Sequence, residues 1–343
     1  MNDQVSPEPI FQMATAYWVS KTLMAAVEFE LFTKISNRSV TLEELQKVLG
    51  MTARPADVFA TALVSLGLLN TSKDGRGGRL FSNSPLSATF LDRNKPSYMG
   101  DIISMFDKRL YNMWDKLPQC LLTNKPAGGS GEEMFGQARS NQATEQMQKF
   151  THAMYGVSVG PAMALAKVFD FSKYDSLIDI GGGSGVYAIQ AAQANPCLSA
   201  TIADLAPVCQ VADEYIRRFN LQGRVKTKVL DFFKEDIPTG YDVALLSHII
   251  HDWSEEKDVS LLKKIYGSLN SGGAVIISEW LLDDEKTGPA FAALMGMNMI
   301  IETEGGRNYS FAEISKMLAS AGFSKIEKRP LLGPASVVIG YKR

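Results

Sequence analysis

Cysteine is scarce in this 343-residue chain: Cys120, Cys197 and Cys209 are three, and none sits in a C-x-x-C pair. Such spacing supports neither a disulfide framework nor a thiolate zinc site, and a reducing cytoplasm is the expected location. Net charge is also nearly absent. The 35 Lys+Arg against 37 Asp+Glu leave −2, without the clustered cations that a phosphate backbone requires, so nucleic acid is not an expected partner. Long hydrophobic runs are missing too: the most apolar segment, Pro289 to Ile301, falls short of the roughly 18 to 20 residues that span a bilayer. Met1 to Glu8 is polar and acidic, unlike a secretory signal, and no membrane partner is expected. What is present is an ordinary folding composition, 45% hydrophobic and 21% charged, in a length that suits about two domains.

The first domain is expected over residues 1–105. Ala14, Tyr17, Trp18, Lys21, Met24, Ala25 and Val27 draw a mostly apolar stripe on a first helix. Thr41 and Glu44 have the spacing of a capping box before a short helix, and Thr52 is the expected cap of a longer one through Phe59, Leu63 and Leu66 to Gly67. Leu68-Leu69-Asn70 and Arg79-Leu80-Phe81 flank a glycine-rich loop and read as a hairpin. Helix, turn, helix, hairpin is a winged-helix order, which raises a ligand-sensing DNA-binding regulator as one reading. Its recognition helix would carry only Arg54 and Asp57 among mostly apolar residues, too little to hold phosphates or read bases. A two-fold homodimer through this domain is the expected alternative.

Residues 106–343 form the second expected domain. Ser130 to Phe171 reads as helical, and from Ser176 strands and helices alternate, predicting a parallel sheet covered on both faces. Strands are expected at Ser176–Ile180, Ser199–Ala203, Val225–Leu230, within Tyr241–Ile250, and at Ala274–Ser278 after a turn at Asn270–Gly273. A closing hairpin, Ser324–Leu331 with Ala335–Tyr341, completes the set. Ligands of open α/β sheets bind at the carboxyl ends of the strands. Those ends carry Gly181 to Gly185, Asp204, Asp231, His251-Asp252 and Glu279. The glycine loop, Asp179-x-Gly181-x-Gly183-x-Gly185, departs from G-x-G-x-x-G at Val186. It suits a nucleoside lying over bare backbone, with Asp204 near the spacing that reaches ribose hydroxyls. A ligand-free tight turn and a nicotinamide dinucleotide remain open at this point. His248, His251 and Asp252 could also be read as metal ligands, although no third site with ligand spacing accompanies them and no metal is expected.

Asp179 to Gly185, Asp231-Phe232-Phe233 and, above all, His251-Asp252-Trp253-Ser254 followed by Gly272-Gly273 and Glu279 resemble the S-adenosylmethionine-dependent O-methyltransferases of the caffeic acid and acetylserotonin type. The likeness covers nearly the whole chain. It implies an α/β fold, a class I methyltransferase Rossmann-like sheet of seven strands behind a helical winged-helix dimerisation domain. It implies S-adenosylmethionine as methyl donor, S-adenosylhomocysteine as product, and a small aromatic hydroxylated acceptor. By motif matching, Asp179, Gly181, Gly183, Asp204, Leu205, Asp231, Phe232, Ser247 and Trp253 surround the cofactor. Phe150, Met154, Asp252 and Asn298 line the acceptor site. His251 is the implied general base.

A phenol of pKa near 10 facing a histidine near 6.5 makes full ground-state proton transfer uphill by roughly 5 kcal/mol, so the proton should move as the oxygen attacks. The family usually flanks its base with two carboxylates. Glu279 matches the first, whereas Asn308 stands at the second, which could orient an imidazole without stabilising its charge. Glu302 and Glu304 could compensate. That departure keeps N- or C-methylation, or a non-methylating reaction on the same scaffold, as alternatives. His248 reads as a core histidine, His152 as a helix-face residue beside Phe150 and Met154, and Met295, Met297 and Met299 as core or pocket wall.

Overall fold

The computed structural model describes residues 5–128 and 141–343, in two compact units, Met1–Tyr111 and Asn112–Arg343. The division falls six residues beyond the expected one. Part of the expected helical stretch, 130–140, lies outside the described residues.

In the first unit, α1 (Glu8–Glu28) precedes a two-residue strand, β1 (Val40–Thr41). The Thr41 hydroxyl accepts from the Glu44 N–H while the Glu44 carboxylate accepts from the Thr41 N–H, closing the capping box of α2 (Leu42–Leu49). Thr52 takes the extended cap position of α3 (Ala53–Ser65), but its side chain makes no capping bond. The hairpin β2 (Leu69–Lys73) and β3 (Arg79–Asn83) joins β1 in the antiparallel order β1-β3-β2. Leu31, Phe32, Leu45, Leu63 and Phe81 form the core of this unit. The expected stripe on α1 is covered only toward its end, where Val27 is buried and Met24 and Ala25 are half-buried. Only Ala26 and Val27 are buried, while Phe11, Met13, Tyr17 and Trp18 are exposed.

In the second unit a short helix, Leu117–Thr123, precedes α4 (Asn141–Val168), and the unit is built on β4 (Ser176–Ile180), β5 (Ser199–Asp204), β6 (Val225–Val229), β7 (Tyr241–Ser247), β8 (Leu269–Trp280), β9 (Ser324–Pro330) and β10 (Ala335–Tyr341). The sheet order is β6-β5-β4-β7-β8-β10-β9. All pairs are parallel except those of β10 with β8 and β9. The Asn270–Gly273 turn proves to be part of β8. Gly272, with φ +79°, lets the backbone kink; Gly273 accepts from the Lys342 N–H beyond β10, and the register with β7 shifts between Tyr241 and Val243.

One face of the sheet is covered by α4, α5 (Val186–Ala194) and α6 (Ala206–Arg218), with Leu165, Tyr187 and Ile202 fully buried. Across the other face lie α7 (Glu255–Ser268) and α9 (Phe311–Ala321), with Leu262, Ile265 and Leu318. Between them in sequence, the apolar 289–301 run becomes a helix, α8 (Ala290–Glu302). Among the described residues no helix is long and apolar enough to cross a membrane. The chain moves outward from β4 through β5 to β6, then returns to the opposite side of β4 as β7. The loops after β4 and β7 therefore diverge at a switch point, where such sheets open a crevice.

Candidate active site

The β4 loop is held in shape by glycines. Gly181, Gly183 and Gly185 have φ of +64°, +57° and +73°, conformations unfavourable to side chains. A Cβ on Gly185 would strike Ile202, whereas one on Gly183 would meet nothing within 4 Å. Gly183 thus offers bare backbone to open space. Its N–H donates to Asp204 Oδ2 at 2.9 Å, and the Leu205 N–H donates to Asp204 Oδ1 at 2.7 Å. The Asp204 carboxylate is fixed at the end of β5 with lone pairs to spare. Burial raises its pKa to about 6 against these two donors. Asp179 lies beneath the loop, fully buried, with its Cγ 2.8 Å from where a Gly182 Cβ would stand. Burial drives its pKa to about 7 against the Ala188 N–H, with the negative Asp204 adding to the rise.

After β6, the Asp231 carboxylate accepts from the Phe233 and Lys234 N–H groups and pairs with Lys234 Nζ at 2.7 Å. Phe232 contacts the Phe233 ring, and Phe233 in turn meets Trp253 edge-on at 4.5 Å. The Lys257 ammonium stands 5.1 Å from the Trp253 ring. Phe232 comes within 3.5 Å of where a Gly181 Cβ would be, and Ser247 ends β7, the strand beside β4.

His251 sits in the short turn after β7, 5% exposed. Its Nδ1 is 2.6 Å from Glu279 Oε2, and its Nε2 is 3.5 Å from Asp252 Oδ1. Burial by itself would depress the imidazole, but the charges of Glu279 and Asp252 and the Glu279 hydrogen bond outweigh it and raise the pKa to about 9. Burial likewise opposes ionisation of Glu279, and the facing imidazolium overrides it, holding the carboxylate ionised to about pH 2. A Glu279 that accepts at Nδ1 leaves Nε2 as the basic nitrogen.

The tripeptide Ser278-Glu279-Trp280 of β8 holds three residues from two loops at once. The Ser278 carbonyl accepts from the His248 N–H at 3.0 Å, the Glu279 carboxylate holds His251, and the Trp280 carbonyl accepts from Asn308 Nδ2 at 2.8 Å. Asn308 is thus engaged with the main chain through Nδ2, while its buried Oδ1 has no partner among the described residues. Its amide satisfies a buried carbonyl, and among the described residues it makes no hydrogen bond to His251. Asn298 is similarly engaged: its Oδ1 accepts from Trp114 Nε1 at 3.1 Å and its Nδ2 donates to Glu302 Oε2 at 2.5 Å. Phe150 and Met154 lie half-buried one turn apart on α4. His152, on the same helix, has Nδ1 3.3 Å from the Tyr215 hydroxyl.

Sequence reasoning missed Trp280 and Asp258. The Trp280 ring lies 4.2 Å from His248, 6.1 Å from and nearly parallel to His251, and 5.2 Å from Phe291. Asp258 on α7 is fully buried; its pKa rises to about 8 through burial, with the negative Glu279 and Asp252 adding to the effect. Their signals were only adjacency to Glu279 and a place in the acidic first turn of α7. Atoms of His248, His251 and Glu279 lie within 4.8 Å of one another. Here Glu279 replaces Asp252 as third member of the cluster, and its Oε2 is already bonded to His251.

With this geometry established, the family comparisons are specific. The O-methyltransferase domain matches residues 114–324 and the O-methyltransferase dimerisation domain residues 11–93. The chain is 35% identical over 341 residues, covering 98% of itself and 95% of the relative, to the 3-hydroxy-5-methyl-1-naphthoate 3-O-methyltransferase of Streptomyces sahachiroi. It is 30% identical to the L-tyrosine C(3)-methyltransferase of Streptomyces lavendulae, covering 88% and 82%. Human N-acetylserotonin methyltransferase, solved in complex with S-adenosylmethionine, superposes with a TM-score of 0.87 over 100% of this chain and 99% of the other at 23% identity, a likeness of fold.

Proposed function

Because the chain belongs to the O-methyltransferase family, with that family's dimerisation domain before its catalytic domain, we propose that it is an S-adenosylmethionine-dependent enzyme that methylates a hydroxyl of a small aromatic acceptor with His251 as general base. The observation that carries the proposal is the buried 2.6 Å contact between His251 Nδ1 and Glu279 Oε2 at the carboxyl ends of β7 and β8.

The residues present fit the cofactor. Open space over Gly183, the fixed Asp204 carboxylate and the Phe232, Phe233 and Trp253 cluster suit, respectively, a close-lying chain, ribose hydroxyls and an adenine ring. Leu205 and Ser247 border the same pocket, Asp231 anchors its turn, and Asp179 supports the glycine loop from below. Bound there, S-adenosylmethionine supplies an electrophilic methyl group on a sulfonium.

What the protein must add is alignment and a base. With Nδ1–H donated to Glu279, Nε2 of His251 accepts the acceptor's hydroxyl proton. The raised pKa of about 9 narrows the gap to a phenol near 10 to about one unit, or about 1.4 kcal/mol. The imidazolium formed is held by Glu279, with Asp252 beside Nε2. Phe150 and Met154 wall the acceptor site, and Asn298, fixed between Trp114 and Glu302, shapes it. The exposed apolar residues of α1, Phe11, Met13, Tyr17 and Trp18, support a homodimer through the first domain. The free thiols suit the reducing cytoplasm.

The test is incubation with S-adenosylmethionine and aromatic hydroxy compounds, reading the product's added methyl group and its attachment atom by mass spectrometry and NMR. Methyl on oxygen is the expected result. Attachment to carbon or nitrogen would overturn the choice of oxygen. That second reading is favoured by Asn308 itself, an amide that donates to the Trp280 carbonyl and brings no negative charge to the base.

A further inference from the structure

His248 is absent from the mechanism above, yet its surroundings are hard to explain as packing. It lies in the left-handed backbone region, φ +56°, at the mouth of β7, and is 8% exposed. Neither ring nitrogen has a partner within hydrogen-bond distance, Nδ1 having only the longer ion-pair contact with Glu279 Oε2, and Glu279 Oε1 has none either. Buried polar atoms are nearly always satisfied, so such a group calls for an explanation. Its ring lies against Trp280 at 4.2 Å, with Nδ1 3.7 Å from Glu279 Oε2 and the ring centre 5.8 Å from that of His251. A neutral imidazole presents one N–H donor and one acceptor. Here both are already stripped of water and stand beside the proposed base.

We infer that His248 is a specificity-determining residue that hydrogen-bonds a second polar substituent of the acceptor, a hydroxyl on the ring carbon adjacent to the methylated oxygen. The inference rests on the methyl-transfer reading for the position of the first oxygen. Two hydrogen bonds of about 2.9 Å to neighbouring oxygens can span imidazoles at this separation. The second hydroxyl can accept from the His248 N–H or donate to its free nitrogen, and Glu279 Oε1 offers another acceptor nearby. A ring with hydrogen at that carbon would leave these atoms unsatisfied. Sites built to hydrogen-bond a hydroxyl reject the analogue without it far more strongly than apolar pockets sort by size.

The experiment compares catechol with phenol on the full-length enzyme. Binding is measured by calorimetry with S-adenosylhomocysteine present, and methyl transfer is measured separately. The wild type is expected to bind catechol at least about tenfold more tightly than phenol. His248→Phe keeps the ring stack on Trp280 and removes both nitrogens, so it should abolish the preference by weakening catechol alone. His248→Gln should restore part of it. His248→Asn, an amide better tolerated at positive φ, is a second restoring variant should the phenylalanine fail to fold. Equal binding of the two probes by the wild type, or equal losses for both in His248→Phe, would overturn the inference. An enzyme that binds with this preference but yields no methylated product would instead refute the methyl-transfer reading and leave His248 a binding residue.

Discussion

Replacing Glu279 by Gln tests the charge on the base without removing its partner atom. The amide oxygen can still accept from Nδ1–H, so imidazole orientation is retained, but the principal influence raising the His251 pKa disappears. Burial, which acts downward, is then opposed only by Asp252 and weaker charges. The pKa should fall from about 9 to near or below the ordinary 6.5, a change of at least about two units. Below its pKa the base carries the proton it needs to lose. The wild-type kcat/KM should therefore climb about tenfold per pH unit up to about 9 and then level. In Glu279→Gln the same limb should end near pH 6.5. The plateau should also drop on the order of tenfold, because a base weaker by two units or more has less driving force and its imidazolium lacks the facing charge. The two effects oppose each other, so the variant should be slower at pH 9 and above, match the wild type near pH 8 and exceed it at pH 7. An acceptor of different acidity would separate this limb from ionisation of the acceptor itself. Coincident limbs in the two proteins, or a deficit uniform across pH, would refute the account of the His251–Glu279 pair.

His251→Ala should lose about 10²- to 10⁴-fold in turnover while calorimetric affinity for S-adenosylhomocysteine stays unchanged. Gly183→Ala should fold, at a cost of roughly 1 to 2 kcal/mol for its positive φ, yet bind S-adenosylhomocysteine at least about tenfold more weakly because its methyl group enters the open cradle; unchanged affinity would remove that loop from the cofactor site. For Asp179, the folded pKa of about 7 exceeds the unfolded value near 3.9, so folding favours its protonated form. Its contribution to stability should decline from pH 4 to pH 7, by up to about 4 kcal/mol, and stay flat above; denaturation of Asp179→Asn should lack this slope. Trp18→Asp should turn a dimer into a monomer in light scattering, with an unaltered mass counting against α1 as the pairing surface.

The sheet was legible because its strands are bounded by turn residues and their ends repeat one chemical theme. Gly181 to Gly185, Asp204, Asp231, His251 and Glu279 could be found from topology before any side-chain geometry. The His251–Glu279 contact follows from that placement, since the ends of β7 and β8 are neighbours in a parallel sheet. Asn308 and Asn298 were harder to read. An amide's role depends on which buried group needs it, and the Trp280 carbonyl and Trp114 indole come from segments distant in sequence. His248 looked like a core residue because burial is all that a β-rich pattern conveys; that its nitrogens lack hydrogen bonds shows only in three dimensions. The α1 stripe showed the complementary limit: periodicity identifies an apolar face and leaves open whether the same domain covers it.

Three consecutive residues of β8 hold His248, His251 and Asn308, two through main-chain carbonyls that no substitution of the strand's side chains can delete. A one-residue slip of β8 would misplace all three together, so strand register acts here as a gauge for the proton-handling end of the site. In the proposed function much of the acceptor's wall would come from elsewhere, from α4 and from α8 with its Asn298. Exchanging those helical surfaces can redirect such an enzyme toward a new acceptor while the strand keeps its base in place.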